Sequence, residues 1–156
     1  MKIRQANLED ANALADFNIK MAYETEAIKL KPEVITAGVK QMIENPAMGF
    51  YLVVEVDKVI QASLMVTTEW SDWRNGLFWW VQSVYVQPEY RRKGLYSAMY
   101  NEVRELSLSE PNVCGYRLYV ERENINAQKT YQSLGMHETE YFLYEEMKEG
   151  TKYRDN

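Results

Sequence analysis

"VQSVYVQPEYRRKGLYSAMY", residues 81 to 100, passes from one structural period to another within a single stretch. Its first part ends "LFWWVQSVYV" (77 to 86), which is dense in aromatic and β-branched residues and is closed by Pro88, so it predicts a strand. From Gly94 the period changes. Leu95, Ala98, Met99, Val103 and Leu106 fall on one face of a helix, while Glu102, Arg104 and Glu105 fall on the other. Between strand and helix stand Arg91, Arg92 and Lys93. No Ser, Thr, Asp or Asn directly precedes the helix, so its first N–H groups need another acceptor, either water or an anion drawn by the positive helix end and the adjacent cations. The ending Gly-Lys-Ser/Thr of a nucleotide-hydrolysing loop is missing, as is any G-x-G-x-x-G.

Beyond this helix, "CGYRLYVE" (114 to 121) reads as a strand. Residues 77 to 121 therefore form strand, helix, strand, and a right-handed crossover makes the two strands parallel. A short helix follows from Asn126 to Leu134, with Asn124 or Asn126 as N-cap and Gly135 as its stop. Tyr141 to Glu146 supply a last strand, and residues 149 to 156 are expected to be a loose tail.

Toward the N-terminus, Phe50 to Val56 and Val59 to Thr68 form a hairpin around Asp57-Lys58. Ahead of it lie a first strand (Ile3 to Ala6), a helix fading near Tyr23, and a second helix from Pro32 that Asn45-Pro46 ends. The order β-α-α-β-β-β-α-β-α-β gives an α/β fold: one domain over residues 1 to 156, a largely antiparallel mixed sheet with helices on both faces.

A net charge of -5 argues against nucleic acid or an anionic membrane as the main partner, so the cations at 91 to 93 point to a small anion. Cys114 is the sole cysteine, which leaves no intrachain disulfide and no thiolate metal cluster and fits a reducing, cytoplasmic location. No segment has the length of a membrane span, and the N-terminal residues lack a signal-like apolar core. No metal site is expected.

The stretch 81 to 100, followed by "LYVERENINAQKTYQSLGM" with Asn124, Ala127, Tyr131 and Gly135 as Asn-x-x-Ala-x-x-x-Tyr-x-x-x-Gly, resembles the GNAT superfamily of N-acetyltransferases. The resemblance implies acetyl-CoA as co-substrate, with its pyrophosphate over Arg91, Arg92, Lys93, Gly94, Leu95 and Tyr96. It places the pantetheine arm along the backbone of Val84, Tyr85 and Val86 and beside Asn124 and Ala127. It makes Tyr131 the general acid that protonates the leaving sulfur, since a phenol of pKa about 10 stays protonated at neutral pH. Two positions depart from the family pattern. Tyr96 stands where Gly or Ala is usual, and Gln82 lies in the strand where many members carry a catalytic Glu.

An amide accepts no proton, so Glu69 is the first substitute base and Glu24 and Glu26 are the next; a water chain or an amine arriving neutral would also serve. The loop "EWSDWRNG" (69 to 76) offers Trp70, Asp72, Trp73 and Arg74 either as an acceptor pocket or as a hairpin held by its own aromatic pair. His137 and Cys114 have no partners in sequence and read as structural. The expected activity is direct acetyl transfer from acetyl-CoA to a primary amine of a small molecule or peptide, in a possible homodimer. The alternative is a non-catalytic acyl-CoA sensor or interaction module.

Overall fold

The computed structural model describes residues 1–155. Its five-stranded sheet has the order β1-β3-β4-β5-β6, from β1 (Lys2–Gln5), β3 (Gly49–Val56), β4 (Val59–Ser71), β5 (Gly76–Val86) and β6 (Val113–Arg117). All neighbours are antiparallel except β5 and β6. The parallel pair follows from the crossover through α3 (Leu95–Ser107), as the sequence predicts.

Two apolar layers hold the sheet. Leu52, Val54, Leu64 and Val66 from the central strands meet Met99, Tyr100 and Val103 of α3 on one side. Tyr51 and Val53 meet Leu14 and Ala15 of α1 (Ala11–Glu26) and Val39 of α2 (Pro32–Glu44) on the other. Alternation along β3 thus feeds both layers in turn.

Turn chemistry fixes the hairpin register. Asp57 and Lys58 both take positive φ, 51° and 66°, in the two-residue turn whose twist suits adjacent antiparallel strands. Gly49 opens β3 at φ 143°, and a Cβ there would lie 1.9 Å from the Val66 carbonyl oxygen. At the other end of the domain Arg4 grips Asp10 through two bonds of 2.8 and 3.0 Å, and Asp10 also accepts the Asn7 N–H at 2.8 Å.

Several expectations need correction: the strand read at 114 to 121 runs only from Val113 to Arg117. The first helix continues past Tyr23 to Glu26, because Ala27 takes the left-handed capping conformation (φ 54°) without a glycine to announce it. Residues 141 to 146 form no strand. Tyr-Phe-Leu-Tyr has the local preference for one, but a strand exists only in a ladder, and these residues lie exposed with none. Within the stretch expected as a tail, β7 (Arg154–Asp155) pairs antiparallel with β2 (Lys29–Leu30), with Lys31 N–H on the Tyr153 carbonyl at 2.9 Å and Lys31 Nζ on Asp155 at 3.2 Å, while Asn156 lies outside the described residues. The remaining helix, α4 (Ile125–Ser133), begins as expected, with Asn124 Oδ1 accepting the Ala127 N–H at 3.2 Å.

Candidate active site

An irregularity in β5 organises the site. Gln82 faces Met65 and Tyr85 faces Ser63, so Ser83 and Val84 together span the single residue Leu64, with Ser83 at φ 50°. This is a β-bulge, and it reverses the alternation of side chains. Trp79, Val81, Val84 and Val86 all pack on the α3 side, whereas Tyr85 packs against Phe17 of α1, ring centroids 4.9 Å apart. By the same alternation Trp80 and Gln82 share the α1 side with Tyr85.

The sheet opens beside this bulge. The β5 and β6 ladder ends at Trp80 opposite Arg117, so the edge of β5 from Val81 to Val86 has no strand beside it. Among the described residues its backbone groups that point away from β4 have no ladder partner, the Val86 carbonyl being held by Arg91, and the others can bind another chain or an amide-bearing ligand.

At the far end of that edge lies the cationic loop. Gly94 takes φ 79° as N-cap of α3, with nothing within 4 Å of the place a Cβ would occupy and no side-chain cap. The first helical bond is Ala98 N–H to the Gly94 carbonyl, which leaves the N–H groups of Leu95, Tyr96 and Ser97 at the positive end of the helix without a partner among the described residues. Arg91 is folded back: Nε donates to the Val86 carbonyl at 2.8 Å and Nη2 to Glu24 Oε2 at 2.8 Å. Glu24 also accepts the Tyr85 hydroxyl at 3.3 Å. Lys93 stands over the Tyr90 ring, 5.2 Å from its centroid, and Arg92 turns the loop at φ 61°.

Tyr96 does not enter the space over the helix start. Its ring lies inward, stacked on Tyr100 at 6.2 Å and edge-on to Tyr131 of α4 at 5.4 Å. Burial raises the Tyr131 phenol above its ordinary value of 10.0, so it holds its proton more firmly than a free tyrosine. The departure at Tyr96 therefore leaves the cationic cradle open and brings a second phenol to Tyr131.

On the α1 side of the seam is a shallow cavity of about 370 Å³ lined by Thr67, Glu69, Trp80, Gln82, Tyr119 and Leu143, among others. Gln82 Nε2 donates to Thr67 Oγ1 at 2.5 Å. Glu69 Oε1 accepts from Arg117 at 2.6 Å, and the guanidinium lies 3.6 Å above the Phe78 ring centroid. No protein hydrogen bond reaches Glu69 Oε2 among the described residues. A larger groove, about 590 Å³, runs past Asn7, Glu9 and Glu44 and shares no residue with the seam.

The structure thus brings Glu69, Gln82 and Glu24 to the α1 side of the opening and Tyr131, Tyr96 and the helix start to the other. It does not bring the loop tryptophans in. Trp73 is 85% exposed, its backbone N–H bonded to the Asp72 carboxylate at 2.8 Å, and no ring contact joins it to Trp70 among the described residues. Glu26 and His137 are exposed, and Cys114 is an exposed free thiol. Sequence reasoning missed Arg117, Tyr119, Trp80 and Thr67. The signal was partly there: Thr67 with Glu69, and Trp80 with Gln82, are same-face pairs, but the register joining them depends on where the turn at residues 72 to 75 sits.

Residues 12–136 match the sequence model of the Acetyltransferase (GNAT) family. Among solved structures, a possible acetyltransferase from Clostridium difficile 630 is 46% identical over 94% of this chain and 96% of its own, with a TM-score of 0.86. A predicted acetyltransferase with acetyl-CoA from Clostridium acetobutylicum (17% identity, TM-score 0.76, 93% and 95% covered) shares the fold. So does a ribosomal-protein-alanine N-acetyltransferase from Brucella melitensis biovar Abortus 2308 (16%, 0.72, 94% and 99%). No curated protein matches the sequence. Among the described residues no helix is long and apolar enough to cross a membrane.

Proposed function

The chain belongs to the GNAT family of acetyltransferases and is an N-acetyltransferase of that type; from this premise we propose that it moves the acetyl group of acetyl-CoA directly to a primary amine of a small molecule or peptide. The residues present suit the co-substrate. A pyrophosphate needs unpaired N–H groups and nearby cations, which Gly94 to Ser97, Arg92 and Lys93 offer, and Arg91 joins them once it leaves Glu24. The bare β5 edge from Val81 to Val86, through Val84, Tyr85 and Val86, gives the pantetheine amides a ladder partner. Asn124 and Ala127 shape the opposite wall, where a small Ala leaves room.

Bound acetyl-CoA supplies an activated acyl carbon. Tyr131, held protonated by burial, gives its proton to the departing sulfur. Backbone N–H groups of the bare edge polarise the carbonyl. Glu69 Oε2 takes one proton from the incoming ammonium, while Arg117 holds the other oxygen in place; as the C–N bond forms and the C–S bond breaks, the nitrogen gives its second proton to solvent. Gln82 orients through Thr67 and takes no proton. The observation that carries this reading is the position of the opening: a bare strand edge, an uncapped helix start and Tyr131 lie along one face, and a cavity with Glu69 lies behind it.

The single cysteine and the net charge support a cytoplasmic enzyme with a cationic acceptor rather than nucleic acid, and the family resemblance supports a homodimer. The test is acetyl-CoA-dependent thiol release over a panel of amino acids, polyamines, aminoglycosides and peptide N-termini. Tyr131→Phe is expected to lower kcat on the order of 10²-fold. Binding of acetyl-CoA without turnover across the panel overturns catalysis and leaves the sensor.

A further inference from the structure

Tyr96 poses a physical problem. Its hydroxyl is the one buried side-chain polar atom among the described residues without a hydrogen-bond partner. A buried donor left unpaired is destabilising, whereas a phenylalanine at the same place would keep the ring contacts at no such cost. The ring is not free to turn toward solvent for relief. Tyr100, itself fully buried, stacks on it at 19°, and the Arg104 guanidinium covers Tyr100 at 4.5 Å. Tyr116 backs Tyr100 edge-on at 5.9 Å, with its hydroxyl bonded to Ser107 at 2.5 Å. Three tyrosines thus stand in a row beside Tyr131, and the hydroxyl of Tyr96, the member whose ring touches Tyr131, has no bonding partner in the free protein.

We propose that Tyr96 is a positioning residue for Tyr131: its ring fixes the Tyr131 phenol edge-on, and its hydroxyl donates a hydrogen bond to the Tyr131 oxygen when that oxygen gives up its proton. The proposal rests on Tyr131 being the general acid. The step balances. The Tyr131 O–H bond breaks as the S–H bond forms, the charge passes from sulfur to the Tyr131 oxygen, and Tyr96 keeps its own proton while sharing it. Solvent returns a proton to Tyr131 after product leaves. Two side effects on the proton inventory agree with it: burial first, and then the charge on Tyr131, hold the Tyr96 proton firmly, so Tyr96 donates and does not itself ionise.

The experiment uses the full chain, wild type against Tyr96→Phe, with three readouts. The first is the melting temperature of the free protein, expected unchanged or higher. The second is kcat at saturating acetyl-CoA and amine, expected to fall roughly three- to tenfold with the KM for acetyl-CoA within about twofold. The third needs no turnover: the ¹³Cζ signal of Tyr131 in tyrosine-labelled protein, whose titration midpoint is expected to rise by about half a unit to one unit when its stabilising donor is gone. In a Tyr131→Phe background, Tyr96→Phe is expected to add nothing to the loss.

If kcat and the Tyr131 midpoint both stay put in Tyr96→Phe, the hydroxyl has no role and the proposal is overturned. A fall in melting temperature of several degrees would show a partner for the hydroxyl in the free protein and overturn it equally. If Tyr131→Phe leaves kcat intact, the general-acid reading fails first, and the midpoint shift still reports whether Tyr96 stabilises the Tyr131 oxygen.

Discussion

Replacing Glu24 by glutamine should tighten the binding of coenzyme A. In the free protein Arg91 Nη2 sits 2.8 Å from Glu24 Oε2, and an anion over the start of α3 must take the guanidinium from that carboxylate. The two side chains are 45% and 41% exposed, so solvent screens the pair, and its worth is about 0.2 to 1 kcal/mol. Removing the competitor returns that energy to the anion, a gain in affinity of about 1.4- to 5-fold. The amide keeps an acceptor for the Tyr85 hydroxyl, so the contact with α1 survives. Isothermal titration of wild type and Glu24→Gln with coenzyme A, at low and at moderate salt, reads the effect directly. The gain should shrink as salt rises, because the pair it replaces is itself screened. Arg91→Ala serves as the control and should weaken binding in both backgrounds. Unchanged or weaker binding by Glu24→Gln would refute the reasoning, since it would mean that Arg91 stays with Glu24 in the complex.

Three further outcomes are expected. Gly49→Ala puts a Cβ 1.9 Å from a backbone oxygen at φ 143°, and chemical denaturation should show a loss of at least about 3 kcal/mol, whereas Gly94→Ala, in open space at φ 79°, should cost only about 1 kcal/mol. Burial pushes the Asp10 carboxyl up, but the Arg4 bonds and the Asn7 N–H more than reverse this and hold it below its ordinary 3.8. The pair's stabilisation is therefore complete above about pH 4 and lost as pH falls through the lower folded value, so Asp10→Asn should flatten the acid side of a melting-temperature profile. Glu69→Gln should lower kcat by about 10²-fold with the KM for acetyl-CoA unmoved; an unchanged kcat would reduce Glu69 to an anchor for Arg117.

Much of this molecule can be read along the chain because its signals are local. The hairpin at Asp57-Lys58, the change of period at Gly94 and the Asn124 cap each need only neighbouring residues, and each stands where expected. The family motifs are legible for the same reason, each lying in one short stretch. What escaped was set by distant pairings. Whether Tyr141 to Tyr144 form a strand depends on an edge that does not take them, and the ends of the chain meet at Lys29 and Asp155 for reasons no window of sequence contains. The Glu24 to Arg91 pair joins residues on different elements, and the Glu69 to Arg117 pair crosses the whole of β5.

The single extra residue at Ser83 and Val84 works on β5 as a phase shift. Upstream and downstream halves of one strand are read in opposite frames, which is how a continuous backbone can show Gln82 and Tyr85 to the same side and still seat Val84 and Val86 with Val81. Length and parity are therefore coupled here. Deleting Ser83 would set Val84 opposite Leu64 and keep Tyr85 opposite Ser63 and Val86 opposite Ala62, so the ladder would become regular with every downstream side chain on its present face, and what would be lost is the bend and extra twist that the bulge puts into β5 beside the opening. A one-residue gap at this place between two otherwise similar chains would signify a straighter strand with the same two faces, not a shorter loop.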